Sequence, residues 1–122
     1  MNNLTSTIIG AAITVHKQLG PGLLESAYET CLAYELQKKN LHVEQQKPLS
    51  IVYKYIILDH GYRIDILVNG DVLIELKAVE KITRVHEAQI LSYMKFSGCK
   101  IGLLFNFTVL LLKRGGIRRF VI

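Results

Sequence analysis

Cysteine is scarce. The 122 residues hold two, Cys31 and Cys99, too few on their own for a four-thiolate metal centre. Both lie in apolar contexts, which reads as two buried thiols from a reducing compartment. Long hydrophobic runs are missing as well. The most apolar stretch, Ile101 to Leu112, is broken by Asn106 and Thr108 and is too short to span a bilayer. The Met1-Asn2-Asn3 start has no basic cluster, and no small-residue cleavage site follows an apolar run, so no secretory signal is expected. Internal repeats, linkers and low-complexity segments are also lacking. These absences point to a soluble, cytoplasmic protein with no membrane partner.

What remains is globular. Half of the residues are hydrophobic and 20% are charged, enough for one domain over residues 1–122 with a real core. Fifteen basic against ten acidic side chains give a net charge of +5. That balance fits a polyanionic partner such as nucleic acid, although many small basic proteins bind none.

The stretch from Tyr62 to Lys77 organises the rest. Ile64, Ile66, Val68, Val72, Ile74 and Leu76 alternate with Arg63, Asp65, Leu67, Leu73, Glu75 and Lys77 around Asn69-Gly70, the pattern of a hairpin with half-buried strands. A two-residue Asn-Gly loop would send Asp65 and Glu75 to opposite faces. An odd loop, Val68-Asn69-Gly70 or Asn69-Gly70-Asp71, keeps matching parities together. It gathers all six even-numbered apolar residues on one face, and Arg63, Asp65, Glu75 and Lys77 on the other.

Two carboxylates that close repel each other unless a cation lies between them. Hard oxygen donors suit Mg²⁺ or Mn²⁺, which acidify bound water and offset charge on a phosphoryl oxygen. A neighbouring ammonium such as Lys77 can orient that water. A surface salt bridge among Asp65, Glu75 and Lys77 is the plain alternative.

Asp65, followed by Glu75-Leu76-Lys77, resembles the acid…(Asp/Glu)-x-Lys signature of the PD-(D/E)XK nuclease superfamily. Gly22-Leu23-Leu24-Glu25-Ser26-Ala27-Tyr28 is similar to the Gly-x-x-Glu-x-x-Tyr stretch of the small GxxExxY family within it. Gln89-Ile90-Leu91-Ser92-Tyr93 is similar to the Gln-x-x-x-Tyr motif of the recombination-exonuclease branch. Ile64 stands where the superfamily's name has proline, a position that carries no ligand. The resemblance implies a restriction-endonuclease-like α/β core, with a mixed, mainly antiparallel sheet flanked by helices. It also implies a metal-dependent nuclease (Mg²⁺ or Mn²⁺) acting on DNA or RNA, with DNA favoured. Asp65, Glu75 and the Leu76 carbonyl would hold the ion, with Glu25 completing the acidic site. Lys77 would position the attacking water and Gln89 would organise the rim. The alternatives are a non-cleaving nucleic-acid-binding module, or a structural or interaction protein of the same fold. A homodimer or a protein partner also stays open.

Along the chain, Leu4 to Leu19 reads as a helix ended by Gly20-Pro21-Gly22. His16, on its apolar stripe, is either a core or capping histidine or a phosphate contact at the site rim. A second helix over Leu23–Lys39 would bury Leu24, Ala27, Tyr28, Cys31, Leu32 and Leu36. Its Glu25 has a helix-dipole role as the alternative to a ligand; Tyr28 packs and braces, and Glu29 reads as solvated. Val43 to Gln46 is a short edge strand, with Pro48 excluding a central place. Leu49 to Leu58 reads as one long strand of a three-stranded meander. A helix over Thr83–Ser97, closed by Gly98, carries Ile82, His86, Gln89, Tyr93 and Phe96 on one side, with Val85, Ala88, Leu91 and Met94 as an adjoining apolar stripe. Tyr93 either touches nucleic acid or packs. Ile101 to Phe105 returns parallel to the hairpin, and Ile117 to Ile122 is a last strand. Its Arg118 and Arg119 either track phosphates or keep an edge solvated.

Overall fold

The computed structural model describes residues 2–122; Met1, part of the start read for a signal, lies outside them. The first helix, α1 (Asn2–Leu19), turns Ile8, Ala11, Ala12 and Val15 inward at helical spacing. It stops where Gly20 takes φ +70° and donates its N–H to the His16 carbonyl at 2.8 Å, a left-handed cap that a side chain would strain. Next comes α2 (Glu25–Lys38), which buries Tyr28, Leu32, Ala33 and Leu36. Leu24, expected on that face, is 77% exposed. It precedes the first helical residue with an extended backbone, so the helical period does not apply to it. Cys31 is only half-buried, while Cys99 is buried.

The strands are β1 (Val43–Pro48), β2 (Ile51–Tyr53), β3 (Ile56–Leu58), β4 (Arg63–Val68) and β5 (Val72–Lys77). After α3 (Arg84–Ser97) come β6 (Ile101–Asn106) and β7 (Ile117–Val121). The main sheet has the order β1-β4-β5-β6-β7. Every neighbouring pair in it is antiparallel except β5 and β6, which run parallel across α3. β1 takes the edge, as Pro48 requires. The stretch expected to be one long strand over Leu49–Leu58 folds back at Lys54, φ +54°, and β2 pairs with β3 in a separate two-stranded sheet. β1 already occupies the side of β4 that a meander would have given this segment, so its surplus length pairs with itself. Residues 107–116 form turns.

Both faces of the main sheet are covered. Ile66, Val68, Val72, Ile74 and Leu76 pack with Ile8, Val15, Tyr28 and Leu32 of α1 and α2. Leu67 and Leu73 pack with Ile90, Tyr93 and Met94 of α3. The hairpin's alternation thus separates two buried faces, not a wet face from a dry one. Ile64, expected with the even-numbered set, joins the α3 cluster instead. The regular pleat ends just before it: the last β4–β5 pair is Ile66–Ile74, and in β1 Gln46, between the Gln45–Ile66 and Lys47–Ile64 pairs, has φ +51°.

Thr83 caps α3 through a reciprocal bond with His86, and Gly98 closes it at φ +82°. The buried residues of α3 are Ile90, Tyr93 and Met94, whereas Val85 and Leu91 of the expected stripe are exposed. Gly102 permits the close contact with β6, since a Cβ there would lie 2.5 Å from the Met94 sulfur. Among the described residues no helix is long and apolar enough to cross a membrane.

Candidate active site

The turn takes the odd register. Val68 pairs with Val72 across Asn69-Gly70-Asp71, with Asn69 and Gly70 at φ +54° and +68° and the Asp71 N–H on the Val68 carbonyl at 2.9 Å. Asn69 Oδ1 also accepts the His42 N–H at 2.8 Å, tying the turn to the entry of β1. Asp65 and Glu75 therefore share a face, the arrangement on which a site depends.

Where the regular ladder stops, the acids continue it with their side chains. Asp65 donates its N–H to Glu75 Oε2 at 3.1 Å, and Leu76 donates its N–H to Asp65 Oδ2 at 2.8 Å. Each carboxylate thus satisfies a backbone donor on the opposite strand. Glu75 is 3% exposed. Burial first, and the nearby Asp65 charge second, push its carboxyl up to about 8. Burial also raises Asp65, against the opposing pull of its bond from Leu76.

Lys77 lies at the end of β5, and its Nζ donates to Gln89 Oε1 at 3.0 Å. Gln89 Nε2 in turn donates to the Tyr93 hydroxyl at 3.3 Å. α3 brings these two residues together because they are one turn apart. Tyr93 is 8% exposed and meets Tyr62 edge-on, ring centroids 6.5 Å apart; burial raises its hydroxyl pKa. Its ring takes the packing place, between Gln89 and Tyr62. Asn106, beside Lys77 in the parallel pair, is buried and holds Val79 through both its backbone groups. The chain leaving Lys77 is thereby fixed.

Glu25 reaches the same end of the sheet from the first turn of α2. Its Oε2 accepts the Ala78 N–H at 3.1 Å. The turn before it is anchored by Tyr28, which donates its hydroxyl to the Gly20 carbonyl at 2.6 Å and accepts the Leu23 N–H at 3.1 Å. Its ring is buried and stacked on Phe107, 4.4 Å between centroids. Tyr28 thus braces the α1–α2 turn, not Glu25 or the sheet directly.

Sequence reasoning missed three residues here. Glu29, read as solvated, accepts from Gln45 Nε2 at 3.0 Å and from Gln46 Nε2 at 2.7 Å. Gln46 Nε2 also lies 3.3 Å from Asp65 Oδ1, so one amide links both acids. The available signal was the spacing of Glu29, one turn after Glu25 on α2.

The site carries an excess of negative charge inside a protein of net charge +5. Asp65 and Glu25 push the Glu75 carboxyl up, and Lys77 is the cation that opposes them. An acid pair with one member buried, the other half-buried and one nearby ammonium is short of positive charge, which suits a divalent cation with oxygen ligands. Among the described residues, however, no group of three or more His, Cys, Asp or Glu side chains is gathered as for a metal ion. The donors that fit are the Asp65–Glu75 pair, with Glu25 turned to Ala78.

Three residues considered as nucleic-acid contacts are not brought to the pair. His16 is buried, its Nε2 2.8 Å from the Val109 carbonyl and 3.2 Å from that of Phe107. Since a carbonyl only accepts, this nitrogen carries the proton, and the ring is a core residue tying α1 to the 107–116 turns. Arg118 is ion-paired with Glu87 of α3. Both Arg118 and Arg119 lie on β7, the opposite edge of the sheet from β1.

A family model described as the PD-(D/E)XK nuclease superfamily matches residues 2–120. No curated protein and no solved structure matches the chain. The mixed, mainly antiparallel five-stranded sheet between helices is consistent with a restriction-endonuclease-like fold.

Proposed function

The chain belongs to the PD-(D/E)XK nuclease superfamily, and we propose that it is a divalent-metal-dependent nuclease hydrolysing phosphodiester bonds of DNA or RNA. The observation that carries this reading is the exchange of backbone bonds that sets half-buried Asp65 and buried Glu75 on one face of the hairpin, with Lys77 held beside them by Gln89. Asp65 and Glu75, with the Leu76 carbonyl, would hold Mg²⁺ or Mn²⁺. Glu25 uses Oε2 on Ala78, leaving Oε1 to complete the acidic site directly or through a water. When bound, the ion supplies an acidified water and neutralises charge on the phosphoryl oxygens. Lys77 orients the attacking water and faces the growing negative charge, and Gln89 keeps its ammonium in place. Burial on both sides of the hairpin keeps these groups rigid.

We further assign the chain to the GxxExxY branch. Gly22 has φ +105°, Glu25 reaches Ala78, and Tyr28 anchors the turn, so each letter of that motif has a physical task. DNA is the favoured substrate, and the unpaired thiols fit a cytoplasmic setting. The second reading, a binding module that does not cut, draws on the engagement of Glu25 with Ala78.

A cleavage panel of single- and double-stranded DNA and RNA with Mg²⁺ or Mn²⁺ separates them. Wild type should cut at least one form, and Lys77→Ala and Asp65→Ala should abolish cutting while keeping the fold and much of the binding. Binding without cutting by wild type favours the second reading, and cutting by Lys77→Ala removes the proposed role of that lysine.

A further inference from the structure

The β2–β3 hairpin stands outside the main sheet. It is closed at its base by the Leu49 N–H on the Tyr62 carbonyl at 2.9 Å, and its two strands pair only with each other. Val52, Tyr53, Tyr55, Ile56, Ile57 and Leu58 are between 43% and 102% exposed. An isolated two-stranded ribbon is marginal in water, and stability usually comes with a third strand or a cover. β3 also lacks the devices that protect an edge: no charge, proline or bulge interrupts Ile56-Ile57-Leu58.

We infer that β3 is a dimerisation edge that pairs antiparallel with β3 of a second copy of this chain about a two-fold axis at Ile57. Three observations favour a second copy over other occupants. The segment is self-complementary in this register: Ile57 faces Ile57 and Ile56 faces Leu58, joining two marginal ribbons into one four-stranded sheet. The pairing also carries the Lys54 end of one copy to the Asp59–His60 end of the other, so opposite charges meet at both ends. Finally, the pairing sets exposed Tyr55, Ile56, Ile57 and Leu58 of one copy beside the same apolar residues of the other, so part of their surface leaves water. Nucleic acid fits this edge less well. Four of the six side chains are aliphatic and give no stacking surface, and Lys54 is the only Lys or Arg between Leu49 and Tyr62.

The inference is independent of catalysis, so its test reads mass. Sedimentation of the wild-type chain over a concentration series should show a monomer–dimer equilibrium. Ile57→Lys sets two ammonium groups against each other at the axis and should weaken the dimer at least about tenfold. Ile57→Glu should do the same, and mixing the two variants should restore a dimer containing one of each. A wild-type circular dichroism spectrum and a cooperative melt establish that both variants fold. A wild type that stays monomeric throughout the series overturns the inference, as does a dimer indifferent to both substitutions. If wild type and Ile57→Lys are equally monomeric but the variant binds a labelled oligonucleotide less tightly, the edge belongs to nucleic acid and the inference is wrong.

Discussion

Replacing Glu75 with glutamine tests the electrostatic state of the site without reference to any substrate. Glu75 is 3% exposed, and its carboxyl rises from 4.5 to about 8. Because the folded-state pKa lies above the unfolded one, the associated stability is fully present below 4.5. It is lost as the pH rises toward about 8, where the folded acid also ionises. At about 1.4 kcal/mol for each unit, a rise of that size sets an upper bound of roughly 5 kcal/mol. The interior relaxes around a new charge, so a measurable difference of about 2–4 kcal/mol is expected. Glutamine keeps a carbonyl oxygen for the Asp65 N–H and never ionises. Glu75→Gln should therefore match wild type near pH 5 and gain on it steadily up to about pH 8, with no further divergence beyond. Guanidinium unfolding of both proteins at closely spaced pH values measures this directly. Parallel stability curves across the range would refute the claim that this acid is forced neutral by burial and by Asp65. Added Mg²⁺ should narrow the gap at high pH, because an ion bound by the native carboxylates stabilises wild type selectively.

Two further outcomes follow from single contacts. Tyr28→Phe removes the hydroxyl that joins the Gly20 carbonyl to the Leu23 N–H, and should lower unfolding stability by about 1–3 kcal/mol in denaturant titrations. Gln89→Leu takes away the acceptor that fixes Lys77; it should cut kcat by about tenfold or more with little change in KM, read from initial rates on whichever nucleic acid the wild type cleaves.

The hairpin shows how far local chemistry reaches. Asn69-Gly70 and the period-two pattern restrict the register to a few choices, and the need to bury Ile66, Val68, Val72 and Ile74 together selects one with Asp65 and Glu75 on a shared face. The break after α1 and the cap of α3 were equally readable, since each rests on a glycine at positive φ. These features depend on neighbours within a few residues, and so the sequence carries them openly.

Other features depend on what arrives from far along the chain. β1 pairs with β4 and leaves Leu49–Leu58 without a place in the main sheet, a competition between strands that no local pattern records. His16 is a core residue because the Val109 carbonyl, 93 residues away, comes to it, and Glu29 joins the site because Gln46 approaches from another strand. Arg118 faces Glu87 and not the acid pair for the same reason. Short-range sterics and side-chain periodicity wrote the elements and their faces into the amino-acid order. The partners of each polar group were decided only when tertiary packing removed water and left buried donors such as His16 Nε2 only the acceptors that distant segments had brought within reach.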